Sequence, residues 1–480
     1  MTVNLADQLV RRFDMEDQRR FAELSGDYNP MHLDPVAARR TIAGQPVVHG
    51  MHTLLWALEV LAPRDGGDRL PSRLRADFSS FLPLLRSATM AISVAAGKRR
   101  ATVTAGGVVV MNLQVGEGQS SAIATPRSAA PMGVRLPDEP LALDLGDIEG
   151  LSGTIPSATN TAISAMFPRA SAWLGDGRLA ALLACTRLVG MVCPGLHSIF
   201  NRVDLEVIDG NLDDRLDYTV ASVDRRFRRV VLAVAGPGVS GSLFTSLRPL
   251  PASQATMSEV AAAATPAEFA GEKALAVGGS RGLGELAAKL LAAGGAEVLV
   301  TYAVGRTDAE AVCAEIVAWG GLARAIPLDV TGDVAAQLAT SIEGVTTCCY
   351  FATPRIFGPS ADIFQDDKFR RFYDFYVVAF DAVCAALLRG TDRPIGVYYP
   401  STVAIDERLA GLAEYAMAKA AGEILCDEYN ARQTRLRIVR SRLPRLPTDQ
   451  TATVSSVSTD DPIQTILPVL RAMTGARSEI

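Results

Sequence analysis

Lysine is almost absent from this chain: five residues of 480, within a Lys+Arg total of 47. Histidine is rarer still, at four, and aromatics make up 6%. The formal charge is −5 and no segment concentrates Lys or Arg, which removes the electrostatic footprint of a nucleic-acid or anionic-membrane binder. The seven cysteines form no C-x-x-C pair, and most sit in apolar runs such as LLACTRLVGMVC and DAVCAALL. They read as buried small hydrophobes in a reducing compartment rather than as disulfides or metal ligands. No uninterrupted apolar stretch approaches the ~18 residues of a membrane span, and the N-terminus lacks the apolar core of a signal peptide. The expectation is a cytoplasmic protein with no membrane or nucleic-acid partner and no metal, acting on small molecules. Because lysine and histidine are so scarce, each one that falls inside a motif carries weight.

Hydrophobic residues are 49% and charged residues 21%, ordinary values for a globular chain. At roughly 150 residues per domain the length accommodates about three units. The clearest seam is residues 249–273, where Ala, Ser, Thr and Pro replace periodic apolar patterning, a linker composition. Beyond it strands and helices alternate (KALAVGG, LGELAAKLLAAG, AEVLVTY, DAEAVCAEIVAWG, ARAIPLDV), which predicts a parallel sheet covered on both faces. Before it one pattern occurs twice. A helix apolar nearly all round, at 47–61 and again at 178–193, precedes four strand-like segments. A helix of that kind must be wrapped by other structure, so two copies of one α+β unit are expected side by side.

The first motif is FAELSGDYNPMH at 21–32, followed by PVVHGM at 46–51. Asn29 precedes Pro30, which disfavours the α region and turns the chain at residues 26–30. That turn lets Asp27 and His32 converge on one substrate. Adding water to an α,β-unsaturated thioester takes a proton from the water attacking Cβ and delivers one to Cα, work suited to a His/Asp pair tuned by burial. Asn29 would hold either the water or a side chain, and the backbone N–H of Gly50, opening the buried helix, would face the developing enolate oxygen. His49 and His52 are expected to pack or bond locally, and His197, which has no acidic partner at matching spacing, to be structural. The motif resembles the signature of the MaoC-like, (R)-specific enoyl-thioester hydratases, which have the hot-dog fold. The resemblance covers about the first 125 residues, with a weaker structural echo through 250. It implies that the N-terminal copy carries the chemistry while the second helps shape an acyl pocket.

The second motif is ALAVGGSRGLGELAAKLL, with Gly278, Gly282 and Gly284 between a strand and a helix. A glycine-rich turn there lets backbone approach a pyrophosphate at a helix N-terminus, with Ser280, Arg281 and Leu283 in the same loop. Tyr415 and Lys419, in EYAMAK, are four apart and share a helix face. A nearby ammonium lowers a phenol pKa and fits it to protonate a carbonyl oxygen receiving hydride. Together these segments resemble the short-chain dehydrogenase/reductase family over roughly 271–450, most of all its 3-oxoacyl-thioester reductases. The family serine, thirteen residues before the Tyr, falls at Thr402; Ser401 takes that place if the loop carries one extra residue. The Asn of the family's proton relay has no counterpart, since no Asn occurs between Asn211 and Asn430. Its place must be filled around FYDFYVVAF. The second strand ends VTYAVGR without the acid that reads a ribose 2′-OH, while Arg281 and Arg306 suit a 2′-phosphate. NADPH is therefore expected in preference to NADH, with Asp329 near the adenine.

The expected fold is multidomain: a double hot-dog α+β part, then a Rossmann-like, doubly wound parallel α/β sheet. Its domains are a catalytic hot-dog half at 1–128, a non-catalytic half at 129–250, a linker at 251–270 and a reductase domain at 271–480. The expected function is bifunctional: an enoyl hydratase/3-hydroxyacyl dehydratase joined to an NADPH-dependent 3-oxoacyl reductase. Its substrate would be an acyl-CoA or acyl-carrier-protein thioester, and its assembly a homodimer. The alternatives are a hydratase whose reductase-like half only binds nucleotide or dimerises, and an acyl-carrier scaffold without turnover.

Overall fold

A computed structural model describes residues 9–63, 70–95, 98–117, 136–157, 160–208, 214–358, 363–453 and 457–475. It divides into two bodies after Leu250. The expected boundary at 128/129 lies outside the described residues.

In the first body the strands are β1 (Val10–Arg12), β2 (Pro71–Phe78), β3 (Ser87–Ala95), β4 (Lys98–Ala105), β5 (Val108–Glu117), β6 (Ser152–Pro156), β7 (Ser198–Val207), β8 (Arg215–Asp224), β9 (Arg229–Gly236) and β10 (Val239–Leu247). They form one sheet in the order β1-β3-β4-β5-β2-β7-β10-β9-β8-β6. Each repeat supplies one half of it, and antiparallel pairing of β2 with β7, from Arg73 opposite Glu206 to Asp77 opposite Arg202, joins the halves. Arg73 donates to Asp204 at 2.7 Å across this seam. Alternate residues such as Ala101, Val103 and Ala105 of β4, and Val230, Leu232 and Val234 of β9, are buried, because a period of two sends every second side chain to one face. That face covers the helices Gly50–Leu61 and Asp176–Arg187, whose residues are buried nearly all round. The second helix continues as a π-helical turn, Leu188–Val192.

The second body holds β11 (Lys273–Val277), β12 (Glu297–Tyr302), β13 (Leu322–Pro327), β14 (Thr347–Tyr350), β15 (Ile395–Thr402) and β16 (Leu436–Leu443). Their order is β13-β12-β11-β14-β15-β16, with every pair parallel. Separate apolar clusters lie on its two faces. The order reverses between β11 and β14, and in such sheets ligands bind beyond the strand carboxyl ends at that switch.

The expected linker at 251–270 is a correction. It carries the helix Met257–Ala263, closed by a Thr256/Glu259 capping box, and Met257, Val260 and Phe269 are buried in the same apolar cluster as the helix Gly282–Ala293. The Ala/Ser/Thr-rich composition hid an apolar stripe of few but well-spaced residues.

Candidate active sites

The first site is built by capping. Helix Met15–Ser25 ends at Gly26, whose φ of 72° reverses the chain. Asp27 then accepts from the Asn29 amide at 3.2 Å, and Asn29 accepts from the Met31 amide at 3.2 Å, capping the short helix Pro30–Leu33 that carries His32. The Asn29 side-chain amide is engaged within the protein. It donates to the carbonyls of Gly190 (3.0 Å), Gly195 (3.4 Å) and Leu196 (3.3 Å), so the expected hold on water or a side chain is corrected to one on the second repeat.

Asp27 is 2% exposed. Its Oδ2 accepts from Thr186 at 2.7 Å. Burial pushes its carboxyl above the ordinary carboxylate range, while His32, Thr186 and the Asn29 amide pull it back. Nδ1 of His32 lies 2.8 Å from the Val47 carbonyl, which makes Nδ1 the donor and leaves the lone pair on Nε2. Burial holds this imidazole below its usual range, with Asp27 opposing. Burial thus favours the neutral form of each group, a carboxyl that can give a proton and an imidazole that can take one.

His49 stacks on His32 with ring centroids 3.8 Å apart, and its nitrogens face Gln18 Oε1 at 2.9 Å and the Asp27 carbonyl at 3.1 Å. One ligating atom from each of Asp27, His32 and His49 lies within 4.8 Å of the others; His49, which burial holds well below its usual range, donates to one of its two facing oxygens. His52 stacks on Phe21. A cavity of about 210 Å³ opens onto Asp27 and His32. Gly50 lines it, and so do Ser198 and Asn201 of the second repeat and an apolar wall that includes Phe78, Leu82 and Phe200.

Sequence reasoning missed Thr186 and Gly190, which lie about 160 residues from Asp27. A lone Thr closing the buried stretch Leu179–Thr186, otherwise Leu, Ala and Cys, was the available signal. A Cβ on Gly190 would fall inside the van der Waals envelope of the Asp27 carboxylate. Gly190→Ala is therefore expected to displace that carboxylate and lower turnover at this site about 10²-fold, with far-UV circular dichroism unchanged; a wild-type rate would show that Asp27 tolerates the shift.

The second site lies at the carboxyl ends of β11 and β15. Gly278 has φ 74°, its amide donates to Thr301 Oγ1 at 2.9 Å, and a Cβ there would come within 2.9 Å of the Ala352 nitrogen. A Cβ on Gly284 would run into the Gly278 carbonyl. Gly282 opens the helix Gly282–Ala293, Ser280 is buried, and Leu283 packs on the core.

The expected phosphate and adenine contacts are engaged within the protein. Arg281 pairs with Asp449 at 2.8 Å and Arg306 with Glu310 at 2.8 Å. The Asp329 carboxylate accepts from the Thr331 amide and hydroxyl at 2.9 and 2.7 Å.

Strand alternation separates the two candidate hydroxyls. Ser401 donates to Glu423 at 2.5 Å, whereas the Thr402 hydroxyl accepts from the Ala404 amide at 3.2 Å and acts to lower the Tyr415 phenol. Of the two, Ser401 is engaged by a carboxylate, and Thr402, at residue 415 − 13, is the one that acts on Tyr415.

Lys419 does not lower the Tyr415 pKa. Burial pushes the phenol up to about 12, eased only by Thr402. The Lys419 ammonium donates instead to the Pro400 carbonyl at 2.6 Å and lies over the rings of Tyr376 (3.9 Å) and Tyr399 (4.8 Å). Burial brings Lys419 down to about 7. Tyr376, in a π-helical turn at Asp374–Val378, stands where FYDFYVVAF was expected to replace the relay Asn. Its hydroxyl meets Thr353 Oγ1 at 2.5 Å.

Residues 4–86 match the family described as MaoC like domain, and residues 272–440 the family described as short chain dehydrogenase. An (R)-specific enoyl-CoA hydratase of Aeromonas caviae is 48% identical over 44 residues, 9% of this chain and 33% of the relative. A 3-oxoacyl-[acyl-carrier-protein] reductase of Synechocystis is 51% identical over 57 residues, 12% of this chain and 23% of the relative. The chain thus spans a third or less of the length of these curated relatives. A short-chain dehydrogenase structure from Burkholderia cenocepacia in complex with NADP aligns with 38% of this chain and 78% of its own, at 27% identity and TM-score 0.35. No helix among the described residues is long and apolar enough to cross a membrane. The chain joins a MaoC-like domain at its N-terminus to a short-chain dehydrogenase domain at its C-terminus.

Proposed function

We propose that this chain is a bifunctional acyl-thioester enzyme: an (R)-specific 2-enoyl hydratase/3-hydroxyacyl dehydratase fused to an NADPH-dependent 3-oxoacyl reductase. The N-terminal part is a double hot-dog, with the catalytic half at 1–128 and a supporting half at 129–250. The observation that carries this reading is the meeting of a buried carboxyl and an imidazole with a free Nε2 in one mainly apolar cavity. In hydration, His32 Nε2 takes a proton from water as its oxygen bonds to Cβ. Asp27, whose carboxyl burial raises, gives a proton to Cα. The Gly50 N–H, at a helix end without an intrahelical acceptor, stabilises the enolate oxygen. The apolar wall takes the acyl chain of a coenzyme A or carrier-protein thioester.

In the second body a Cβ is excluded at Gly278 and Gly284, and Gly282 has φ 62°, a turn that fits a dinucleotide pyrophosphate above the helix Gly282–Ala293. Bound NADPH supplies the hydride for a 3-oxo carbonyl. Tyr415 and Thr402 protonate and polarise the carbonyl oxygen, and Lys419 sets the charge beneath them. The protein works as a cytoplasmic homodimer.

Assaying purified protein with 3-oxoacyl and 2-enoyl thioesters, with and without NADPH, tests the reading. Hydration of the enoyl substrate and NADPH oxidation on the oxo substrate are expected. One observation favours a second reading, hydratase alone: the Tyr415 phenol is raised and Lys419 is turned onto Pro400. Cofactor choice has its own test. Arg281→Ala should raise KM for NADPH about tenfold more than for NADH, because only NADPH offers a charge-assisted 2′-phosphate contact. Asp449→Asn, which frees Arg281 of its anion, should lower the NADPH KM. Equal effects on both cofactors would assign the 2′-phosphate elsewhere.

A further inference from the structure

Arg248 follows β10 and is 4% exposed. Its Nη2 donates to the Leu196 carbonyl at 2.8 Å, while its Nε is buried without a hydrogen-bond partner. Burial brings the side chain down to about 10, still cationic at neutral pH. No carboxylate among the described residues pairs with it. A buried guanidinium without a counter-ion is unfavourable to the fold. The carbonyl it holds is the one that also accepts from Asn29 at 3.3 Å, and Asn29 lies two residues from Asp27 and three from His32. The guanidinium therefore stands directly behind the turn that fixes the hydration pair.

We propose that Arg248 is a positioning residue for that pair. It pins the 195–196 turn against Asn29 and supplies a fixed positive charge that opposes a second cation at His32. The proposal rests on the hydration reading for its purpose, although its electrostatic claim concerns the protein alone. The charged or titratable groups that face His32 are Asp27, which favours the imidazolium, and His49 and Arg248, which oppose it. Asp27 stabilises the very cation that would disable His32 as a base. Arg248 works against this from behind the turn, without touching substrate. It acts at its other side on His197, whose Nδ1 is buried without a partner and whose pKa burial, Arg248 and Arg228 all lower.

With only four histidines in the chain, 13C-ε1 histidine NMR titration of the full protein reads His32 directly, without substrate. R248Q keeps a donor for Leu196 but loses the charge, and should raise the His32 midpoint by about half a pH unit or more, the effect of one charge at several ångströms in a partly buried site. R248K should stay near wild type. H197E, which sets a carboxylate beside the guanidinium with Arg248 in place, should raise the midpoint as well and serves if R248Q does not fold. The acid limb of kcat/KM for hydration should follow the NMR midpoint. A midpoint unchanged in R248Q and H197E, or moved equally in R248K and R248Q, overturns the proposal. Absence of hydration in wild-type protein sinks the hydration reading instead and leaves the titration result standing.

Discussion

Asp27→Asn and His32→Ala are each expected to lower hydration of a 2-enoyl thioester by about 10² to 10⁴-fold, the usual contribution of a general acid or base. Each variant removes one proton-transfer role while the other group stays in place, so the double variant should be little slower than the worse single one. Thr186 and the Asn29 amide bond different oxygens of Asp27, so Asn at 27 keeps one of the two contacts, and a thermal melt of the variant separates the lost proton from a lost fold. NADPH affinity, read by fluorescence titration, should not move. The pH dependence follows from the directions of the shifts. Burial raises Asp27 and lowers His32, so the acid limb lies below the ordinary histidine value, and the alkaline limb above the ordinary carboxylate value. Asp27→Asn should remove the alkaline limb. Near-normal rates in both single variants would remove this pair from the chemistry and leave the cavity a binding site only.

How much of these sites the sequence discloses depends on chain distance. Asp27, Asn29 and His32 lie within six residues and are shaped by one Pro and one Gly, so local turn chemistry places them. Thr186, Gly190 and Arg248 reach the same point through β2–β7 pairing and packing of the second repeat, which no local spacing encodes. The second repeat was expected to shape a pocket, yet it also bonds Asp27 and Asn29 directly. In the second body, Tyr415 and Lys419 share a helix face as their spacing requires, but the ring faces of Tyr376 and Tyr399 and the Pro400 carbonyl decide where the ammonium points. Those residues come from elements 43 and 20 positions away. Ser401 against Thr402 was open because one residue of register exchanges the two faces of a strand. Residues 251–270 read as a linker because few apolar side chains suffice when they are spaced to meet one helix.

Conversion of a 3-oxoacyl thioester to the 2-enoyl product by wild-type protein with NADPH alone is the second large effect expected. Reduction yields a 3-hydroxyacyl thioester, and the Asp27/His32 site dehydrates that product only if the carbinol carbon has the configuration its cavity accepts. Joining the two bodies in one chain is useful when both act on the same (R) isomer. Asp27→Asn should then accumulate the (R)-3-hydroxy intermediate, and Tyr415→Phe should form neither product, with NADPH oxidation reduced by at least about 10²-fold. The phenol is the point of stress in this scheme. At about 12 it is a poor acid, and with Lys419 near 7 the charge beneath it depends on pH. The reductase rate should therefore fall as pH rises through the Lys419 value, because a neutral amine no longer offers positive charge to the carbonyl oxygen that gains negative charge as hydride arrives. Replacing Tyr376 with Leu removes one of the two ring faces over the ammonium and should move that fall to lower pH, since cation–π contact favours the charged form. Chiral analysis of the hydroxyacyl product in Asp27→Asn decides the matter. An (S) product, or no consumption of 3-oxoacyl thioesters of several chain lengths by wild-type protein saturated with NADPH, breaks the coupling and leaves hydration as the activity of this chain.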